Sequence, residues 1–111
     1  MKKLFLDDIR DPDMIYNKTE AKDFVVVLSY NEFLNYIREI GLPDFISFDN
    51  DLGLDEAGVI ALDGFAIAKW LVYESGLDLR NLKFKVHSAN PVAAEQIKGL
   101  LNNYIRFLKE Q

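Results

Sequence analysis

The sequence predicts an α/β fold: a four-stranded parallel sheet with three helices, in a single domain spanning residues 1–111. Three observations carry this. Short apolar runs alternate with stretches whose apolar residues repeat at helical spacing. Two acidic clusters, Asp7-Asp8 and Asp49-Asn50-Asp51, stand where such runs end. The resulting order, β-loop-β-α-β-α-β-α, suits right-handed crossovers between parallel strands.

The first strand, Leu4–Asp7, is apolar up to its acidic end, and residues 9–23 then run to the second strand without helical periodicity. That strand, Phe24–Leu28, and the third, Phe45–Asp49, are nearly continuous in apolar residues, as expected where both faces of a sheet are covered. Between them Ser29-Tyr30-Asn31-Glu32 forms a capping box, with Leu28 and Phe33 placed as a hydrophobic staple. The stripe Tyr30, Phe33, Leu34, Ile37, Ile40 ends at Gly41 and Pro43. Residues 50–62 form a loop rich in Gly and Asp, of a length that is often functional. Asp63 caps the second helix, which is apolar almost all round through Phe65, Ile67, Ala68, Trp70, Leu71 and Val72 and closes at Gly76. The fourth strand, Leu82–His87, alternates Leu82, Phe84, Val86 with Lys83, Lys85, His87, the pattern of an edge strand with one poorly covered face. Asn90 and Pro91 open the last helix, whose stripe Ile97, Leu100, Leu101, Tyr104, Ile105, Leu108 runs nearly to the chain's end.

Placing the first strand between the second and third gives the order 2-1-3-4. Both acidic clusters then meet at the switch point of the sheet, where open α/β folds collect ligands. The loop over residues 9–23 leaves one face without its first helix. The long C-terminal helix is expected to cover that face; failing that, the face should pair in a dimer.

Composition narrows the function. Half the residues are apolar, with eight Phe and five Tyr, so a packed core is expected. No run of ~18 apolar residues and no signal-peptide pattern is present, which points to a cytoplasmic protein with no membrane partner. The absence of cysteine excludes disulfides and thiolate zinc sites. A net charge of −5 argues against bulk duplex nucleic acid, but not against one nucleotide or RNA end held through a metal. Lys98, Arg106 and Lys109 make the last helix mildly basic, for which a solvated face is the simpler account.

The strand ends supply a chemical constellation. Carboxylates gathered at one edge repel by roughly 4 kcal/mol per pair at ~4 Å and an effective dielectric near 20. A hard divalent cation such as Mg²⁺ is the natural partner, with Asp7, Asp8, Asp49 and Asp51 as candidate ligands. Arg10 suits bidentate phosphate contact, His87 proton transfer, and Ser88 and Asn90 further phosphate contacts beside the free amides at Pro91. Asp49, His87 and Arg10 are the candidate catalytic residues. Each also has a plain structural use: Arg10 neutralises Asp7, Asp8 or Asp11, Asn90 caps a helix, and a strand-end His anchors hydrogen bonds. A calcium-loop reading of Asp49-Asn50-Asp51-Leu52-Gly53 fails, because Leu54 and Ile60 stand where Gly and Glu are required.

Four segments resemble the cyclic-phosphate-processing receiver-like domains, a divergent offshoot of response-regulator receivers. They are Leu4 through Pro12, Ile46 through Gly53, Asp63-Gly64 with Ala68 through Leu71, and Val86 through Val92. The resemblance implies a truncated receiver-like (flavodoxin-like) fold and work on a cyclic phosphate of an RNA end or nucleotide. It matches Asp7 and Asp8 to the metal-binding pair, Asp49 to the phospho-accepting Asp, and Ser88-Ala89 to the hydroxyl and alanine after the fourth strand. Nothing corresponds to the receivers' Lys after a fifth strand, for which Arg10 or His87 would substitute. Asn50 stands where the family often carries His.

The leading expectation is a Mg²⁺-dependent phosphoesterase acting on a small phosphorylated ligand or RNA end, as a monomer or weak homodimer. The alternatives are a signalling receiver phosphorylated on Asp49 and a non-catalytic phospho-ligand binding module.

Overall fold

A computed structural model of the chain describes residues 1–53, 58 and 62–111. Most of the loop noted over residues 50–62, at 54–57 and 59–61, lies outside the described residues. Four parallel strands, β1 (Lys3–Leu6), β2 (Phe24–Val27), β3 (Phe45–Phe48) and β4 (Lys83–Val86), form one sheet in the order β2-β1-β3-β4. Lys3 is in register with Phe24 and Phe45, and Phe45 with Lys83. β4 is an edge strand, as its alternation indicates. β2 is the other edge, and its Val25 and Val26 are exposed although its sequence reads as doubly covered.

The helices are α1 (Lys18–Ala21), α2 (Tyr30–Ile40), α3 (Gly64–Tyr73) and α4 (Pro91–Lys109). Their starts follow from local chemistry. Ser29 Oγ accepts from the Glu32 amide at 3.1 Å, and Glu32 reaches back to the Leu28 amide at 3.3 Å. Asp63 and Asn90 accept from the amides three residues on, at 2.8 and 3.1 Å. Between β1 and β2 the chain forms a 3-10 turn over Pro12–Met14 and the single turn α1, capped by Asn17. A four-residue helix with no buried residue has no stripe to display, so the sequence shows no period there.

Side chains alternate across a strand. Leu4, Leu6, Ile46 and Phe48 therefore share one face, and α2, α3 and α4 all contribute to the core cluster on it, through residues such as Phe33, Ile67, Leu71, Ile97 and Leu101. The expectation that α4 covers the opposite face is overturned: α4 packs on α3 and β4. The cause lies in α3, whose apolar residues run nearly all round, so that a flank beyond the sheet must also be buried.

The opposite face is closed by aromatic rings instead. Phe5, fully buried, meets Phe24 and Tyr16 edge-on at centroid distances of 5.8 and 6.5 Å. Tyr16, from the loop before α1, stacks on Phe24 at 5.0 Å. Lys3 Nζ lies 5.5 Å from the Phe24 ring centre and Lys85 Nζ 5.5 Å from that of Tyr16, so their stems cover apolar surface while their charges meet π faces. Among the described residues no helix is long and apolar enough to cross a membrane.

Leu101→Ala should lower unfolding free energy by about 2–5 kcal/mol, because α4 is part of the main core. Val25→Thr on the exposed edge should change it by less than ~0.5 kcal/mol. Urea denaturation followed by circular dichroism measures both, and an unchanged Leu101→Ala midpoint contradicts this placement of α4.

Candidate functional site

Alternation also builds the site. Asp7, Asp49 and His87 each follow a strand's last residue and continue the face of Phe5, Ser47 and Lys85. Their amides extend the ladder one rung, donating to the carbonyls of Val27 (3.2 Å), Leu6 (2.9 Å) and Phe48 (2.8 Å). Two carboxylates and one imidazole thus stand in one row at the carboxyl edge.

Asp7 is fully buried, and four donors surround its carboxylate. Oδ1 accepts from the amides of Ile9 and Arg10, both at 3.0 Å, which folds the chain back just after the strand. Oδ2 accepts from Arg10 Nε at 2.7 Å and contacts His87 Nε2 at 3.0 Å. Arg10 continues to Asp49 Oδ1 at 3.0 Å and donates to the His87 carbonyl at 3.3 Å. One guanidinium therefore bridges two buried carboxylates on neighbouring strands.

The two carboxylates respond differently. Burial pushes the Asp7 carboxyl up, but the Ile9 and Arg10 amides, His87 and the Arg10 charge outweigh it and hold it below its ordinary value. Burial likewise pushes Asp49 up, Asp7 adds repulsion, and Arg10 with the Asn50 amide only partly offsets them, so Asp49 is raised. On Arg10, burial works against the charge, but Asp49 and Asp7 prevail and raise it.

His87 sits on the Phe5 ring, with centroids 4.5 Å apart and planes within 8°. Its side chain is 2% exposed, and both ring nitrogens are engaged: Nε2 by Asp7 and Nδ1 by Ser47 Oγ at 2.7 Å. Burial lowers its pKa; Asp7 pulls the other way but does not win, and Arg10 and Lys85 add to the lowering. In the neutral ring Nε2–H donates to the carboxylate, so Nδ1 accepts from Ser47, whose oxygen accepts from Tyr16 Oη at 2.8 Å. Sequence reading missed Ser47 and Tyr16. Ser47 left one signal, as the lone polar residue inside an apolar strand, whereas Tyr16 in an aperiodic loop left none. Both nitrogens of His87, the residue expected to transfer protons, are thus hydrogen-bonded, one of them to Asp7.

The carboxylates of Asp7, Asp8 and Asp49 each offer an oxygen within 4.8 Å of the others. Three hard oxygen donors at this separation fit Mg²⁺ or a similar cation. Gly53, at φ +75°, leaves room for the half-buried Asp8, since a Cβ there would lie 2.6 Å from its Oδ2. Asp51 does not join them: it is exposed, and its Oδ1 accepts from Asn50 Nδ2 at 3.2 Å. Asn50 is buried, and its Oδ1 accepts from the Phe65 amide at 3.2 Å, tying the strand end to the start of α3. Ser88 and Asn90 sit between β4 and α4 with local duties. Ser88 Oγ accepts from the Asn90 amide at 3.1 Å, and Asn90 caps α4.

The family model described as the cyclic-phosphate processing receiver domain matches residues 2–103. No curated protein sequence matches the chain. Among solved structures, a fusion of the yeast Spc42 trimeric coiled coil (amino acids 181–211) to another structure is similar, at 17% identity and a TM-score of 0.61. That alignment covers 98% of this chain and 81% of the other, a likeness of fold alone.

The shifts set a stability profile for protein kept metal-free with chelator. A raised Asp49 favours folding at low pH and loses that contribution as pH rises through its folded pKa. Asp49→Asn should therefore raise the neutral-pH Tm by a few degrees, the scale on which ~1 kcal/mol acts in such a domain. Lowered pKa values act oppositely: the His87 contribution fades below pH 6.5 and that of Asp7 below pH 3.8. Thermal melts across pH check this, and a neutral-pH Tm lowered by Asp49→Asn contradicts it.

Proposed function

Since the chain belongs to the cyclic-phosphate processing receiver domain family, we propose that it is a divalent-metal-dependent phosphoesterase that opens a cyclic phosphate on a nucleotide or RNA end. One observation carries the reading: carboxylates of Asp7, Asp8 and Asp49, from two adjacent strand ends, converge with Arg10 at the sheet's carboxyl edge. Asp7, Asp8 and Asp49 would hold Mg²⁺, which supplies Lewis-acid polarisation of the phosphate oxygens.

The chain's own residues do the rest by position and charge. Arg10 balances Asp7 and Asp49 and, with its side chain 27% exposed, turns its planar edge to the phosphate once a cation shares that load. Asp49 Oδ1 is held by Arg10 and the Asn50 amide, while Oδ2 has no hydrogen bond among the described residues. Asp49 Oδ2 takes the proton of the attacking water as its oxygen bonds to phosphorus. The ring P–O bond then breaks, and the departing sugar oxygen is protonated from solvent. His87, braced by Ser47 and Phe5, keeps Asp7 oriented and ionised.

Asp49 Oδ2, without a hydrogen bond among the described residues, equally supports a second reading, a receiver phosphorylated on Asp49. Asn50 supports a third, binding without turnover, because its amide secures the α3 start and offers no acid or base.

Phosphorus NMR with Mg²⁺ and a panel of 2′,3′- and 3′,5′-cyclic nucleotides tests the three together. Ring opening is expected, abolished by chelator, with Asp49→Asn slower by ~10²–10⁴-fold. His87→Asn should weaken activity or metal affinity by ~10–100-fold. No change in any phosphorus signal across substrates and metals sinks the enzyme. An adduct of one phosphate by intact mass with a small phosphodonor selects the receiver, and calorimetric binding without turnover selects the binding module.

A further inference from the structure

The basic residues of this acidic chain are unevenly placed. A groove of about 470 Å³ runs between the outer side of β4 and α4. Lys83 and Lys85 border it on the strand, Lys98 and Lys109 on the helix, and Phe84 and Ile105 supply apolar surface. Four of the 13 basic residues thus line one groove, no acidic residue lines it among the described residues, and the chain's net charge is −5. Lys98 has one loose partner, Glu95 at 3.7 Å, which is 79% exposed and outside the groove. The sequence suggested a solvated face for Lys98 and Lys109; the fold brings them to the same sheet edge as Lys83 and Lys85, which point to the other face.

The groove also exposes backbone. Lys83 and His87 donate their amides to β3, at Asp44 O and Phe48 O. Backbone groups alternate sides along a strand, so the N–H and C=O of Phe84 and Val86 point outward. Among the described residues no strand pairs with β4 on that side.

We infer that this groove docks a short, acidic, extended segment of a partner protein, which adds to the sheet as a fifth strand. The edge amides and carbonyls of Phe84 and Val86 supply the backbone pairing, Lys83 on one face of the sheet and Lys98 and Lys109 on the other select acidic side chains, and Phe84 with Ile105 takes an apolar one. At ~3.3 Å per residue, the four residues of β4 match a segment of about four to six residues. A second copy of this chain is disfavoured, because β4 against β4 brings Lys83 and Lys85 against themselves. A nucleic-acid strand meets the charge but not the edge: outward carbonyls need N–H donors, and a phosphodiester backbone offers none in a strand-like repeat. Lysines on an edge also deter aggregation, but that use does not account for Lys98 and Lys109 on the facing helix.

The test is an ¹⁵N NMR titration of the full chain with three probes: a ~8-residue alternating Glu-Val peptide, the same peptide with N-methylated backbone, and an oligouridylate of equal charge. The plain peptide should shift the amides of Phe84 and Val86 and slow their hydrogen exchange. N-methylation should weaken it by about tenfold or more, as should Lys98→Glu with Lys109→Glu in protein shown folded by circular dichroism. Equal binding of the N-methylated peptide reduces the groove to non-specific charge attraction and overturns the inference. So does tighter binding of oligouridylate at the same residues, or no response of Phe84 and Val86 at millimolar peptide.

Discussion

The ionised carboxylate of Asp7 is the constraint around which the carboxyl edge is organised. A carboxylate at zero exposure survives only if its lone pairs are met by donors. Two backbone amides, one guanidinium nitrogen and one imidazole meet them here. Each donor settles something else in turn. The amides fix the turn out of β1, Arg10 draws Asp49 into the cluster, and His87 ties β4 to the centre of the sheet.

That arrangement leaves Asp49 as the group with unmet demand. Arg10 spans both carboxylates, but burial is outweighed only at Asp7, where the Ile9 and Arg10 amides and His87 add their hydrogen bonds, so the two adjacent aspartates sit on opposite sides of their ordinary pKa. Neighbouring carboxyls pushed apart in this way are a common basis for dividing chemical roles. The proposed function uses that inequality: Asp7 stays ionised at the cluster's base as one of the carboxylates that would hold the cation, while Asp49 Oδ2 has no hydrogen bond among the described residues.

The reduction of the first crossover helix to the single turn α1 shapes the rest. With α2, α3 and α4 on one face, the other is closed by Phe5, Phe24, Tyr16 and His87. Closing it with rings from a loop couples the site to that loop, since Tyr16 reaches His87 through Ser47. At the other end of the sheet β4 has no strand paired on its outer side among the described residues, and the lysine-lined groove lies there.

Much of this was legible before any fold was known, and the reason is locality. Strand runs, the caps at Ser29, Asp63 and Asn90, and the edge alternation of β4 depend on residues within a few positions of one another. So does the placing of Asp7, Asp49 and His87 at one sheet edge, once the strand order follows from the crossovers. What only the tertiary structure decided involves partners far apart in sequence: α4 choosing α3 over the bare face, Asp51 standing outside the carboxylate group, and both nitrogens of His87 being taken by Asp7 and Ser47. Periodicity reports that a face is buried, but not against what. Residue type reports what a side chain is able to do, whereas burial and long-range hydrogen bonds determine which of those capacities remains free.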